Sequence, residues 1–187
     1  MNKFDYYYWK SKLSELQINN IHNTIEDNFE SYQQVSQGAS DLNGNFKKSS
    51  IVKEIKYKFI KKELEDVIDF AQICNKQFYG YNLYPLSDSI ISCYNIYSSK
   101  NKAKYDWHSD ISRLNCSDTK LTLIINLSNK YTGGEFELNS GNIVEVKEFS
   151  NPGSVIIFKS DILHRVKPVL TGERRTLTIF LDGPKWI

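Results

Sequence analysis

From Ile90 onward the apolar residues recur at every second position, and no stretch in that half carries the 3.6-residue spacing of a helix. Side chains two apart in an extended chain share a face, so the pattern is satisfied by short strands that each bury one face. Eight segments qualify: 90–97, 104–110, 120–128, 134–139, 143–148, 154–158, 163–168 and 174–182. Gly133-Gly134 and Pro152-Gly153 supply tight turns between them. Eight short strands in about 95 residues predict a double-sheet jelly roll.

The first 89 residues read differently. Residues 1–10 are aromatic-rich and predict a short edge strand. Leu13-Ser14 with Gln17-Ile18 has the form of a capping box with its hydrophobic staple, and Ile18, Ile21, Ile25 and Phe29 continue it as a helical stripe. A short strand is expected within Ser50–Phe59. A second helix follows from Lys61 to Phe78, with Leu64, Val67, Ile68, Ala71, Cys74 and Phe78 on one face. Neither helix can bury its stripe alone, so both need the outer face of a sheet. The expected fold is α+β, mainly β: one domain over 1–187, with 1–89 as a helical and strand support region and 90–187 as the jelly-roll core. The polar, Gly/Asn/Ser-rich stretch 35–50 reads as a loop and a candidate lid.

Within the strand half, Tyr105-Asp-Trp-His-Ser-Asp110 places His108 and Asp110 on one face of an extended segment. An imidazole and a carboxylate so placed are two-thirds of a 2-His-1-carboxylate facial set, which holds a metal on one side and leaves positions open. The chain has three histidines. His22, at the edge of a helical stripe, is expected to be structural. His164, 56 residues after His108, is the third candidate ligand. Such a set holds iron, but catalytic zinc uses the same donors, and spacing does not separate the two metals. Arg174, ten residues beyond His164 and on the face of Thr176, does separate them: a guanidinium buried beside a metal calls for a small dianion. Arg175, by alternation, faces the other side.

These segments, together with Lys120–Ser128, Tyr131–Phe136, Pro152–Phe158, His164–Leu177 and Leu181–Pro184, resemble the 2-oxoglutarate- and Fe(II)-dependent oxygenases. The nearest likeness is to their prolyl-4-hydroxylase-like subgroup, which includes the PKHD-type hydroxylases. The resemblance is dense over 90–187 and looser before it. It implies an Fe(II) centre at His108, Asp110 and His164. It further implies 2-oxoglutarate bound by Arg174 with Thr176 assisting, and Tyr97 (with Tyr94 as its competitor) hydrogen-bonded to that co-substrate. The implied cofactors are Fe(II), 2-oxoglutarate and O2, with ascorbate as a candidate addition. The implied reaction hydroxylates an unactivated C–H and releases succinate and CO2. A small residue in place of Asp110 would instead imply halogenation.

The leading expectation is therefore a hydroxylase of a prolyl residue in a peptide or protein. The alternatives are an oxygenase of the same superfamily acting on a free amino acid or an alkylated nucleobase, or a non-catalytic jelly-roll binding module. Nucleic acid is disfavoured by a net charge of only +2 and four arginines. Cys74, Cys93 and Cys116 lie in no metal-binding spacing and read as free thiols, and no segment has the length of a membrane span or the form of a signal peptide, so a cytoplasmic enzyme is expected. No pattern speaks to the oligomeric state.

Overall fold

A computed structural model of the chain describes residues 5–28, 48–111 and 117–185. The expected lid over 35–50 lies outside them up to residue 47, as do Phe29 and Cys116.

Among the described residues, eleven strands form two sheets. The larger runs in the order β1 (Tyr6–Trp9), β9 (Val155–Lys159), β5 (Asp118–Asn126), β11 (Val169–Gly183), β3 (Ile91–Ser98), β2 (Ile51–Lys56), with β6 (Tyr131–Gly133) also paired to β11. The smaller runs β4 (Tyr105–His108), β10 (Leu163–Val166), β7 (Phe136–Asn139), β8 (Ile143–Glu145). This is the jelly roll expected from the alternation.

Alternation along the central strands sorts residues into two cores. Leu121, Leu123 and Ile125 of β5, Val155 and Ile157 of β9, and Leu177, Ile179 and Leu181 of β11 face outward and pack with the helices. Ile124, Ile156 and Phe158 face inward, between the sheets, with Phe136 and Val166 of the smaller sheet. The outer core includes Ile18, Ile21 and Ile25 of α1 (Glu15–Asp27) and Leu64, Val67, Ile68 and Ala71 of α2 (Lys61–Cys74). The helices thus cover the outer face of the larger sheet.

Helix α1 opens with the expected box: Gln17 N–H donates to Ser14 Oγ (3.3 Å), and Gln17 Oε1 accepts from Ser14 N–H (3.0 Å). Its entry is pinned by Gly153, whose carbonyl accepts from Lys12 N–H (2.8 Å) and Leu13 N–H (3.1 Å). Gly153 sits at φ +74°, and a Cβ there would run into the Leu13 carbonyl, so glycine is required on both counts. Helix α2 ends four residues before the expected Phe78. The Asn75 side chain captures both backbone groups of Tyr81 (2.8 and 3.0 Å), and Asn75–Tyr79 widens into a π turn that closes at Gly80. Strand β11 starts at Val169 rather than Arg174, because its first residues pair with β6, a three-residue strand too short to show alternation. Among the described residues no helix is long and apolar enough to cross a membrane.

His22 is structural, as expected. Its Nε2–H donates to the Leu127 carbonyl (3.0 Å) and its Nδ1 accepts from the Tyr94 hydroxyl (2.8 Å). Burial, assisted by the Arg175 charge and opposed by the Leu127 bond, lowers its pKa below the ordinary value. The neutral ring is therefore favoured on folding. That contribution is complete above the unfolded-state pKa of about 6.5 and is lost as pH falls through the folded value. Urea unfolding of wild type and His22→Gln should accordingly show wild type losing more stability between about pH 7.5 and 5.5. Parallel pH profiles would remove His22 from the balance.

Candidate metal centre

Antiparallel pairing of β4 with β10 sets His108 directly opposite His164, and their rings approach to 4.0 Å between centroids. Asp110 follows β4, its N–H donating to the Ser160 carbonyl at 2.8 Å. Its carboxylate reaches both rings: Oδ1 lies 3.5 Å from His108 Nε2, and Oδ2 lies 3.3 Å from His164 Nε2. Among the described residues these three are the His, Cys, Asp and Glu side chains whose ligand atoms converge, all within 4.8 Å of one another.

Each ring is oriented from behind. His108 Nδ1 meets the Asp106 carbonyl at 2.7 Å, and His164 Nδ1 meets the Ile162 carbonyl at 3.0 Å. A carbonyl only accepts, so the proton sits on Nδ1 and the Nε2 lone pair points at the shared centre. Burial, then the neighbouring His164, pushes His108 down to about 4, which keeps that lone pair free at neutral pH. Burial works to raise the Asp110 carboxyl, but His164, His108 and the Thr122 hydroxyl (2.9 Å) outweigh it and hold it below the usual range. Two imidazole nitrogens and an ionised carboxylate fit a divalent metal with open positions, iron or zinc.

Across the sandwich, β11 and β3 bring a second cross-strand pair to the same cavity, Arg174 opposite Tyr97. Arg174 is 2% exposed, and its guanidinium lies over the rings of Tyr97 (5.4 Å) and Phe149 (5.6 Å). Among the described residues it forms no ion pair. A buried cation without a carboxylate is unfavourable, so this one awaits an anion. Thr176, 2% exposed, is the next inward residue of β11 and lines the cavity beside it. Burial pushes the Tyr97 phenol up to about 12, leaving it a hydrogen-bond donor at neutral pH.

The competing tyrosine and arginine separate by face, and Arg165, the neighbour of His164, keeps clear of the site. Tyr94 points into the helix layer, bonded to His22, while Tyr97 lines the cavity. Arg175 faces outward and pairs with Glu173 at 2.7 Å. Arg165 points away from the metal centre, held by Glu137 (2.6 Å) and stacked over Trp107 (4.5 Å).

Several cavity residues were missed by sequence reasoning. Tyr105 stacks on His108 with centroids 3.4 Å apart, although three residues along a regular strand would face the other way. The register supplies the reason: His164 pairs with His108 while Val166 pairs with Tyr105, so β4 carries a bulge that returns both rings to one face. Phe149, which lines an adjoining pocket with Arg174, arrives on a 3-10 turn whose carbonyls are gathered by the buried Asn126 side chain, its Nδ2 donating to Phe149 O at 3.1 Å and Ser150 O at 2.9 Å. Lys48 enters the cavity through an isolated bridge to Tyr105. Extending the alternation of β2 backward from Val52 through Ser50 would have placed Lys48 on this face.

Comparison with known proteins agrees with this geometry. Residues 91–182 match a family model described as the 2OG-Fe(II) oxygenase superfamily. A PKHD-type hydroxylase of Synechococcus sp. (strain CC9605) is 37% identical over 73 residues, 37% of this chain and 32% of that protein. A PKHD-type hydroxylase of Prochlorococcus marinus (strain MIT 9301) is 39% identical over 79 residues, 41% of this chain and 35% of that protein. Each match thus spans about a third of the curated relative. In fold, the chain is similar to a prolyl-4-hydroxylase of Pseudomonas putida (TM-score 0.70, 14% identity, 97% of this chain and 94% of the other). It is also similar to a Trichoplax adhaerens prolyl hydroxylase in complex with a hypoxia inducible factor peptide fragment (TM-score 0.69, 16% identity, 96% and 84%).

Proposed function

We propose, for a chain whose residues 91–182 belong to the 2OG-Fe(II) oxygenase superfamily, that it is an Fe(II)- and 2-oxoglutarate-dependent hydroxylase of a prolyl residue in a peptide or protein. One observation carries the reading: a His-Asp-His centre shares one cavity with a buried Arg174 that, among the described residues, forms no ion pair. Zinc hydrolysis needs no such arginine. The prolyl substrate is supported by the prolyl hydroxylases of similar fold, one of them holding a peptide. The free thiols of Cys74 and Cys93 suit a reducing compartment, which supports the cytoplasm.

In this reading His108, Asp110 and His164 hold Fe(II), Arg174 and Thr176 receive the distal carboxylate of 2-oxoglutarate, and Tyr97 donates a hydrogen bond to it. Fe(II), 2-oxoglutarate and O2 together supply the oxidant for C–H hydroxylation, with succinate and CO2 as products. The chain supplies geometry. The Asp106 and Ile162 carbonyls keep both Nε2 atoms aimed at the metal, and Phe136, Phe158 and Phe149 wall the site with apolar rings.

Anaerobic titration of metal-stripped protein with Fe(II) and then 2-oxoglutarate tests the reading without a prime substrate. A visible metal-to-ligand charge-transfer band is expected, lost in His164→Ala and weakened in Arg174→Ala. Folded, iron-loaded protein with no band would sink it. Peptide turnover with succinate detection then tests the prolyl assignment.

Gly134 fixes the arginine. It sits at φ +66°, and a Cβ there would meet Arg174 Cδ at 2.9 Å and Val169 Cγ2 at 3.0 Å. Gly134→Ala should weaken 2-oxoglutarate binding by about tenfold, the effect of a displaced supporting contact, while leaving Fe(II) affinity unchanged. Calorimetric titration of each ligand separates the two.

A further inference from the structure

The cavity holds a second cation that the metal centre and Arg174 do not use. Lys48 is drawn in by its backbone bridge to Tyr105. The adjoining residue reinforces that bridge: Ser49 N–H donates to Lys104 O at 3.0 Å, and Ser49 Oγ accepts from Lys104 N–H at 3.0 Å. The Lys48 ammonium lies 4.8 Å over the Tyr105 ring and donates to Asn95 Oδ1 at 3.1 Å. Among the described residues it has no carboxylate partner. A lysine at a protein surface keeps its head in water. This one is turned toward the face of a ring that itself stacks on His108, one of the three convergent residues.

Charge counting shows what it awaits. Among the described residues, the charged side chains lining the cavity are Asp110, Arg174 and Lys48, a net of +1 with the imidazoles neutral. Fe(II) adds two positive charges and 2-oxoglutarate two negative ones, so the filled site still carries +1. We propose that Lys48 receives a carboxylate of the prime substrate, so that the enzyme acts on a proline whose own carboxylate is free, the C-terminal residue of a peptide. The proposal rests on the function given above and narrows its substrate class. Asn95 is the positioning partner, held by its own bonds to the Cys93 carbonyl (3.1 Å) and Thr178 Oγ1 (3.3 Å). A single carboxylate at Lys48 would neutralise the site and fix the orientation of the ring beside the metal.

The test uses N-acetyl-L-proline and N-acetyl-L-prolinamide, which differ by one charge. Each is titrated calorimetrically into anaerobic protein already loaded with Fe(II) and 2-oxoglutarate. Wild type should bind the acid at least tenfold more tightly than the amide. Lys48→Met should erase that preference while keeping the charge-transfer band with 2-oxoglutarate, and Lys48→Arg should retain most of it. Equal affinity of wild type for acid and amide, whether both bind or neither does, overturns the proposal. Loss of the 2-oxoglutarate band in Lys48→Met also overturns it, assigning Lys48 to the co-substrate. Absence of the band in wild type is a different failure, that of the parent reading.

Discussion

Asp110→Ala should cost the protein its metal. The carboxylate is the one anionic donor in the set and touches both imidazoles, at 3.5 and 3.3 Å. Removing it leaves two neutral nitrogens to hold a dication. Loss of a supporting contact behind a ligand already costs about 10–100-fold in affinity, so loss of the ligand itself should weaken Fe(II) binding by at least about a hundredfold and abolish hydroxylation. The fold should survive, because the backbone bond from Asp110 to Ser160 is kept and the two cores are untouched. Anaerobic Fe(II) titration alongside a thermal melt distinguishes the effects. Undiminished iron binding in the folded variant would take Asp110 out of the metal set.

Arg174→Met is the second large effect, and it should spare the metal. Methionine keeps much of the apolar stem against Phe149 and Tyr97 but removes the fork. Each charge-assisted hydrogen bond contributes about 1.5–3 kcal/mol net. Losing two of them corresponds to at least about a hundredfold rise in the 2-oxoglutarate dissociation constant. Fe(II) affinity should remain within about twofold, since neither aromatic contact of Arg174 nor its pairing with Tyr97 involves the three metal-binding candidates. Arg174→Lys should restore part of the loss, because a point charge attracts the carboxylate without matching its two oxygens. An unchanged 2-oxoglutarate affinity in Arg174→Met would place the co-substrate elsewhere.

The two-sheet architecture was legible from alternation, and His108 with Asp110 from a spacing of two. His164 and Arg174 were reached by the scarcity of histidine and by resemblance, and the sheet register then set each pair face to face. What escaped did so for local reasons. Tyr105 was hidden by a bulge, which no single strand reveals because it exists only against a partner. Tyr97 was placed ahead of Tyr94 by resemblance alone, and the physical reason came only with the pairing of β3 with β11, which sends one inward and the other to His22. Strand β6 is three residues long, below the length at which a period can be read. Lys48 lay at the end of a polar stretch whose composition says loop, while its neighbours Ser50 and Val52 already carry the alternation of β2.

Strand β11 has a consequence for redesign. Over fifteen residues it presents Arg174, Thr176, Thr178 and Phe180 to the cavity and Leu177, Ile179 and Leu181 to the helices. Chemistry and helix docking are thus written on alternate letters of one word. A library confined to positions 178 and 180, clear of the Arg174 and Thr176 pair proposed for the co-substrate, could reshape which substrates enter while leaving the helix contacts intact. The same library shifted by one residue would strip the helices from the sheet and teach nothing about selectivity.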